Sequence, residues 1–306
     1  RRPPRSTQGV SSAASDVYKR QTLHPIEAGN FKLDGGAMFG VVPKSLWQKT
    51  NTPDSNNMID MASRCLLIEN GNRLTLVDTG MGTKQSEKFF GYYYRWGDFD
   101  LISSINKAGF SCDEITDVVF THLHFDHCGG GSVVEKGNSF PSPLFKNAIY
   151  WSNKDHWAWA TNPNPREKAS FLEENLHPIK SSGALSFVSQ HDKGFEYKKE
   201  LGFDLLFVNG HTEKQMIPKI VYNEKTLVFA ADLIPTAGHI PVPYVMGYDI
   251  RPLDSMTEKE LFLKEAVENN YFLFLEHDAH NEVVSLKKTE KGVRVDRSFS
   301  FNELFK

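Results

Sequence analysis

Four potential metal ligands lie within six residues of this chain, and their spacing constrains the fold more than any other feature. Residues 121–130 read THLHFDHCGG and directly follow an apolar run at 117–120 that is typical of a buried strand. His122 and His124 have the same parity, so they can face one ion, whereas Asp126 and His127 can address a neighbouring ion once the chain turns. Neutral imidazoles and carboxylates are ligands of borderline divalent cations such as zinc. One histidine alone would be an ordinary residue, but this spacing predicts a metal site at the end of a strand.

Strand patterns recur along the rest of the chain, and several of them form hairpins. Strands are predicted at 64–69 and 73–77, on either side of Asn70-Gly71-Asn72, because Asn and Gly tolerate the backbone conformations of a tight turn. A second hairpin is predicted in the same way, with strands at 217–222 and 226–230 around a turn at 223–225. Further short apolar strands that end directly before polar clusters are predicted at 117–120, 205–208 and 271–275.

Helical patterns lie between these strands, at 101–108, around 170–176 and at 254–270. In the last one, Asp254 and Ser255 are the expected N-terminal caps. Its expected apolar side consists of Leu261, Leu263, Ala266 and Val267. Helices mixed with hairpins predict sheets covered by helices rather than an all-α or all-β fold.

The segment THLHFDHCGG resembles the HxHxDH signature of the metallo-β-lactamase superfamily. Other elements of that superfamily occur in the expected order, namely Asp78 after the first hairpin, Gly210-His211-Thr212 after a strand, Asp232 after the second hairpin, and His277 after a late strand. The resemblance covers residues 22–306. It implies a mixed α/β fold of the α+β kind, the αββα sandwich, with a dinuclear metal site at the edges of the sheets.

The resemblance also implies a set of ligands, two divalent metal ions and the residues that act in catalysis. The implied ligands are His122, His124 and His211 for one ion, Asp126, His127 and His277 for the other, and Asp232 together with a hydroxide as the bridge. Zinc is the first candidate for both ions, and two such ions would lower the pKa of the shared water. Asp126 and Asp232 are the implied catalytic carboxylates. Asp78 is expected to orient a ligand histidine instead of binding metal.

Within the superfamily, the chain looks most similar to the quorum-quenching N-acyl-homoserine lactonases, on residues 33–44, 232–239 and 243–249. Their substrates carry an apolar acyl chain, which needs an apolar trough. Met38 and Phe39 are expected to line it near the metals. Aromatic residues at 89–96, with Trp157 and Trp159, are further candidates, although rings at this density usually build a core or a subunit interface.

Two departures from the lactonase pattern concern the active site. Many of these lactonases have a tyrosine three residues after the bridging aspartate, which polarises the lactone carbonyl, but this chain has Pro235 there. His239 or Tyr244 is expected to contact the substrate in its place. The second departure is Glu213-Lys214-Gln215 after the Gly-His-Thr element, which leaves the ligand histidine intact. Five histidines are expected to have no such role: His24, His156, His177, His191 and His280.

The expected activity is hydrolysis of a small-molecule lactone with an apolar acyl chain. The bridging hydroxide attacks the carbonyl carbon, His239 helps to stabilise the oxyanion, and Asp126 assists ring opening. An organophosphate triesterase or arylesterase that uses the same site is the alternative among enzymes. A non-catalytic metal-binding receptor or scaffold is the alternative from another class.

Composition argues against several other classes. Lys and Arg number 35 against 38 Asp and Glu, a net charge of −3, so a nucleic-acid partner is not expected. No segment approaches the ~20 apolar residues of a membrane-spanning helix. Three cysteines are too few for a disulfide framework and fit a reducing, cytoplasmic setting. The aromatic stretch at 89–96 is the one indication of a homodimer.

Residues 1–21 differ from everything that follows. They are basic, rich in Ser and Pro and poor in large apolar side chains, so they cannot bury a core. They lack the apolar run of a secretory signal, and their composition fits a transit peptide better. The string STQGVSSAASDVYKRQ resembles the translated adapter remnants found at the ends of assembled environmental reading frames. This leader is therefore expected to be an artefact, with a disordered native extension as the alternative, and the hydrolase domain is expected to span 22–306.

Overall fold

The first large sheet contains six strands from the N-terminal part of the chain. The computed structural model describes residues 21–305, and the first strand starts at Gln21, one residue before the predicted start of the domain. The rest of the predicted leader, residues 1–20, lies outside the described residues. The strands of this sheet, in spatial order, are β1 (Gln21–Asp34), β2 (Met58–Asn70), β3 (Arg73–Val77), β4 (Asp117–Val119), β7 (Ile149–Ser152) and β8 (Leu185–Phe187). β1, β2 and β3 pair antiparallel, and the pairs from β3 to β8 are parallel.

The second large sheet contains seven strands from the C-terminal part of the chain. In chain order these are β9 (Glu196–Lys198), β10 (Phe203–Val208), β11 (Gln215–Tyr222), β12 (Lys225–Phe229), β13 (Phe272–Phe274), β14 (Val283–Thr289) and β15 (Gly292–Phe299). They lie side by side in that same sequence, with β12 and β13 as the parallel pair. A short pair, β5 (Ser132–Val133) and β6 (Ser142–Pro143), stands apart from both sheets.

Helices connect and cover the strands. The α-helices among the described residues are Gly35–Phe39, Lys44–Trp47, Glu87–Gly91, Leu101–Lys107, Phe125–Cys128, Lys154–Thr161, Glu173–Ser181, Pro252–Glu268 and Phe301–Phe305. No helix within residues 21–305 is both long enough and apolar enough to cross a membrane.

Both predicted hairpins are confirmed, and in each of them the turn has two residues instead of the predicted three. Asn70 pairs with Arg73, so Gly71 and Asn72 form the turn, and Gly71 has a φ of 63°. Tyr222 pairs with Lys225, so the second turn has two residues instead of the predicted three. Asn223 and Glu224 have φ values of 48° and 62°, the left-handed backbone that two-residue hairpin turns require.

The helix predicted at 254–270 begins earlier than expected, at Pro252, and Arg251 precedes it. Asp254 and Ser255 therefore lie inside the first turn and are not caps, and the Ser255 hydroxyl donates to Asp249 instead. Leu261, which was expected on the apolar side, is 66% exposed. Hydrophobicity alone does not locate the buried face of this helix, because that face includes the polar residues Ser255 and Lys259.

Alternate residues of β2 face two different cores, which explains the layered architecture. Leu66 and Ile68 pack between the two sheets, in a cluster that also includes residues of the helix Pro252–Glu268. Cys65 and Leu67 face the other side, where the helices Leu101–Lys107, Lys154–Thr161 and Glu173–Ser181 cover the first sheet. Side chains alternate along a strand, so a strand with two buried faces needs apolar residues at consecutive positions. The order of layers is helix, sheet, sheet, helix, as predicted.

The two sheets approach each other where β13 ends. Backbone hydrogen bonds run from Ala62 N to His277 O, at 3.1 Å, and from Arg64 N to Glu276 O, at 3.0 Å. The buried Arg64 side chain also donates to the carbonyl oxygens of Leu275 and Asp278. These bonds fix the segment after β13 against β2 and so bring loops from both halves of the chain to one edge.

Candidate metal centre

The segment after β4 carries four of the predicted ligands. His122 and His124 lie on the loop that leaves the strand, and Asp126 and His127 lie on the helix Phe125–Cys128. Glycines follow these ligands, and they allow this segment to pass close to the backbone after β3. A Cβ on Gly130 would lie 2.1 Å from the carbonyl oxygen of Thr79, closer than any side chain can approach.

Three imidazoles converge at one end of the site. The Nδ1 of His124 lies 3.1 Å from the Nε2 of His122 and 3.1 Å from the Nε2 of His211, which follows β10. All three side chains are buried. The three ring nitrogens therefore point toward one common position, as a tripod of metal ligands does.

A second group of ligand atoms lies beside the first. The Nε2 atoms of His127 and His277 are 3.0 Å apart, and Asp126 Oδ2 lies 3.7 Å from His277 Nε2. His277 follows β13, so this group joins residues from both large sheets. Asp126, His127 and His277 can together hold one metal ion.

Asp232 lies between the two groups, and each of its oxygens faces one of them. Asp232 Oδ2 is 3.2 Å from His211 Nε2, and Asp232 Oδ1 is 3.2 Å from His277 Nε2. The side chain is buried, and Oδ1 accepts no hydrogen bond from the described residues. A buried carboxylate oxygen without a donor is a sign of a missing ligand.

The second ring nitrogen of each of the five histidines lies within hydrogen-bonding distance of a protein oxygen atom. These contacts are His122 Nδ1 to Thr121 Oγ1 (3.1 Å), His124 Nε2 to Glu167 Oε1 (3.4 Å), His127 Nδ1 to Asp78 Oδ2 (3.0 Å), His211 Nδ1 to Asp249 Oδ1 (2.9 Å) and His277 Nδ1 to Ala62 O (2.8 Å). Such contacts hold the proton on the outer nitrogen, so that the inner nitrogen offers a lone pair.

The charges of the site match those of a cation-binding centre. Burial and the neighbouring imidazoles hold the pKa of His122 well below its usual value, so this ring is neutral. Burial raises the pKa of Asp232, but His277 and the other imidazoles outweigh burial and lower it well below the usual range. Burial likewise lowers the pKa of His127, but Glu276 and other carboxylates outweigh it and raise that pKa well above the usual value. The carboxylates around His127 thus stabilise positive charge at this position, and a divalent ion that displaces the ring proton supplies that charge, so the donor set fits two divalent ions.

A cleft of about 320 Å³ opens onto this centre. Its polar residues include Asp126, Asp232 and His277, and its apolar wall includes Met38 and Met246. The other lining residues are Leu33, Tyr93, His124, Phe125, Arg166, Glu167, Ala169, Ser170, His211, Gly247 and Tyr248. A polar centre at the end of an apolar cleft is typical of a small-molecule site.

The predicted substrate residues are only partly brought together. Met38 lines the cleft, whereas Phe39, Tyr244 and His239 are not among its lining residues. Phe39 is fully buried and stacks on Trp47 at 5.2 Å and on His239 at 4.2 Å. Phe39 thus belongs to the core beneath the cleft.

The role expected for His239 does not agree with its position. Its Nε2 lies 2.8 Å from Met38 O, its Nδ1 lies 2.8 Å from Thr236 Oγ1, and its side chain is buried. Burial also lowers the pKa of His239 to about 3, so the ring is neutral. With both nitrogens engaged inside the protein, His239 has no atom free to stabilise an oxyanion. In this structure it connects two loops beside the cleft.

Sequence reasoning missed several residues that support the ligands. Glu167 and Asp249 each contact a ligand histidine, but they come from distant loops and carry no local motif. His156 was expected to be ordinary, yet it is buried between two ligand loops. Its Nε2 accepts from Leu123 N at 2.8 Å, and its Nδ1 lies 2.6 Å from Glu213 O. Of the aromatic candidates, Tyr93 reaches the cleft, whereas Trp157 and Trp159 do not, and Phe125, which was not a candidate, also lines it.

Comparisons with known proteins agree with this geometry. A family model described as "Metallo-beta-lactamase superfamily" matches residues 59–277. An N-acyl homoserine lactonase of Bacillus cereus is 26% identical over 118 residues, which are 35% of this chain and 43% of that protein, so the match spans less than half of the relative.

Two solved structures extend the similarity to most of the chain. A probable metal-dependent hydrolase from Staphylococcus aureus is 28% identical, with a TM-score of 0.80 over 91% of this chain and 96% of its own. AidC, a dizinc quorum-quenching lactonase in complex with a product, is 23% identical, with a TM-score of 0.73 over 92% of this chain and 95% of its own. At that identity, the likeness to AidC concerns the fold.

Proposed function

The chain belongs to the metallo-β-lactamase superfamily and is a metal-dependent hydrolase, and we propose that it opens the lactone ring of N-acyl-homoserine lactones. The observation that carries this proposal is the cleft, in which an apolar wall ends directly at the His/Asp centre. An N-acyl-homoserine lactone has the same two parts, an apolar chain and an ester group. The lactonases among the similar proteins support the same choice.

The proposed ligands are those that the geometry groups together. His122, His124 and His211 would hold one ion, Asp126, His127 and His277 would hold the other, and Asp232 would contact both. Two divalent ions in these positions would lower the pKa of a shared water, so that a nucleophile is available at neutral pH.

The chain's own residues have separate tasks in this proposal. Met38, Phe125 and Met246 bind the acyl chain and exclude water from the cleft. The carboxylate of Asp126 lies at the cleft beside His277, where it can carry a proton to the leaving ring oxygen. Asp232 remains ionised between the imidazoles.

The test compares two substrates on the metal-loaded protein. We expect N-hexanoyl-homoserine lactone to be hydrolysed with a kcat/KM above about 10⁴ M⁻¹s⁻¹ and an aryl dialkyl phosphate to be hydrolysed far more slowly. Asp232→Asn should abolish the lactone activity, whereas Asp204→Asn, at a partly exposed ion pair with Lys219, should leave it unchanged.

Other outcomes point to the two alternatives. Efficient hydrolysis of the phosphate with negligible lactone turnover would make the protein a phosphotriesterase. Lactone binding without turnover, retained in Asp232→Asn, would indicate a receptor. Zinc as the metal, a small-molecule partner instead of nucleic acid or membrane, a homodimer and a cytoplasmic location stay predictions, which metal analysis, binding assays, light scattering and cell fractionation would test.

A further inference from the structure

Two tyrosines line the cleft with unused hydroxyl groups. Within residues 21–305, neither the Tyr93 hydroxyl nor the Tyr248 hydroxyl has a hydrogen-bond partner, although both side chains line the cleft together with Asp126. In contrast, the hydroxyl of Tyr150 donates to Gly131 O at 3.0 Å, and that of Tyr271 donates to Glu265 Oε1 at 2.9 Å. Neither hydroxyl is committed to another group within the described residues, and Tyr248 is 40% exposed, so both hydroxyls are available to a ligand that enters the cleft.

Both phenols are neutral donors at neutral pH. Burial raises the pKa of Tyr93 to about 12, and the nearby carboxylate of Asp126 adds to the effect. Burial and Asp126 act in the same way on Tyr248, whose pKa also rises to about 12. The two hydroxyls therefore keep their protons at neutral pH.

The backbone on either side of Tyr248 is fixed. Gly247 N donates to Ala37 O at 2.8 Å, next to the cleft residue Met38. Arg166 Nη2 donates to Gly247 O and, at 3.3 Å, to Asp249 O. Arg166 therefore contacts the residues before and after Tyr248 and fixes the backbone on both sides of it.

Tyr93 is held by ring packing on the other side. Its ring lies 5.1 Å from that of Phe89 and 4.9 Å from that of Phe125, the residue directly before Asp126. Its backbone oxygen accepts from Lys32 N at 2.7 Å. The ring of Tyr93 is thus held by packing and the backbone at Tyr248 by hydrogen bonds, which lowers the entropy lost when the two residues bind a ligand.

We propose that Tyr93 and Tyr248 are catalytic residues that donate hydrogen bonds to the ester group of the substrate, and that Arg166 is the positioning residue for Tyr248. This inference rests on the proposed ester or lactone substrate. It assigns to two separate loops the role that sequence reasoning gave to His239, whose ring nitrogens are both engaged. Donors aimed at a developing oxyanion act strongly in a partly dehydrated cleft.

The test removes one hydroxyl at a time. Tyr93→Phe and Tyr248→Phe should each lower lactone kcat/KM by roughly 10- to 100-fold, with two metal ions still bound. Each should also weaken binding of the ring-opened product, a carboxylate, by roughly tenfold in calorimetry, a readout that does not depend on turnover. Tyr92→Phe is the matched control, since Tyr92 is 63% exposed and does not line the cleft, and it should match the wild type.

Arg166 is tested through its effect on Tyr248. Arg166→Ala should lower kcat/KM in the wild type but have little further effect in the Tyr248→Phe background, because the two residues act as a unit. Independent, additive losses would overturn its positioning role.

Failure of this inference differs from failure of the proposed function. If the wild type hydrolyses an aryl ester or phosphate and not lactones, kcat/KM of each variant is compared with that of the wild type on that substrate. The expected losses are then the same. If both Tyr→Phe variants equal the wild type in turnover and in product binding, the inference is wrong, whatever the substrate is.

Discussion

Removal of one charge at Asp78 should weaken metal binding without changing the backbone. Asp78 is fully buried, and its Oδ2 accepts from Thr121 Oγ1 at 2.6 Å and lies 3.0 Å from His127 Nδ1. Its Oδ1 accepts from Thr121 N at 2.8 Å. The residue has a φ of 57°, a conformation that asparagine adopts readily, so Asp78→Asn isolates the carboxylate.

The expected loss of stability in Asp78→Asn follows from the number of hydrogen-bond donors around this carboxylate. All three groups around the carboxylate are donors, so an amide must place its own NH₂ against at least one of them. A buried donor left without an acceptor costs about 1–3 kcal/mol, and more when the lost acceptor was charged. Glu276 Oε2, at 3.1 Å from His127 Nδ1, can take over part of that contact. We therefore expect a loss of about 2 kcal/mol in stability and a 10- to 100-fold loss in affinity for the second metal ion.

The assay is a competition between the protein and a chromophoric chelator, with urea unfolding alongside it. The control is Asp117→Asn at the opposite end of β4, where the carboxylate accepts from Arg73 and Trp151, away from the ligands. That variant should lose stability and keep two tightly bound ions. If Asp78→Asn also binds two ions with wild-type affinity, the orienting role of Asp78 is wrong.

Two further predictions concern stability. A Cβ on Gly210 would lie 2.2 Å from Ser255 Oγ, so Gly210→Ala should push His211 out of place and cost about 1–3 kcal/mol in urea unfolding. Gly91→Ala, which meets open space, is the control, and equal stability of the two variants would contradict the packing argument. Burial lowers the pKa of Lys259 to about 7, so between pH 7 and roughly 10 the unfolded chain holds a proton that the folded chain has released. Stability should therefore rise with pH in that window by up to ~1.4 kcal/mol per unit, and Lys259→Met should remove the rise; parallel pH profiles would refute this.

The sequence predicted best what depends on local pattern. The hairpin turns at Gly71 and Asn223 follow from backbone preference, and the ligand histidines stand at strand ends, where topology brings them together. The acceptors behind those histidines, such as Glu167 and Asp249, were not predictable in this way. Their contacts span 43 and 38 residues and depend on how separate loops pack.

The errors have physical causes as well. His239 is on the loop that leaves Asp232, as expected, but position on a loop does not determine the direction of a side chain, and Thr236 and Met38 O satisfy both of its nitrogens. Hydrophobicity alone predicts Leu261 on the buried face of its helix, but this side chain is exposed. The buried polar residue Lys259, which donates to Pro241 O and Tyr244 O, shows where that face lies.

Because the ligands come from both sheets, the centre can only form late in synthesis. His277 lies 150 residues after His127, yet their ring nitrogens are 3.0 Å apart in the folded protein. At about 5–20 residues per second, a ribosome needs roughly 8–30 s to cover that distance. During this interval His122, His124 and His127 are present without His277, so the complete set of proposed ligands does not yet exist. Tight binding of two ions must therefore wait until the second half of the chain has folded onto the first.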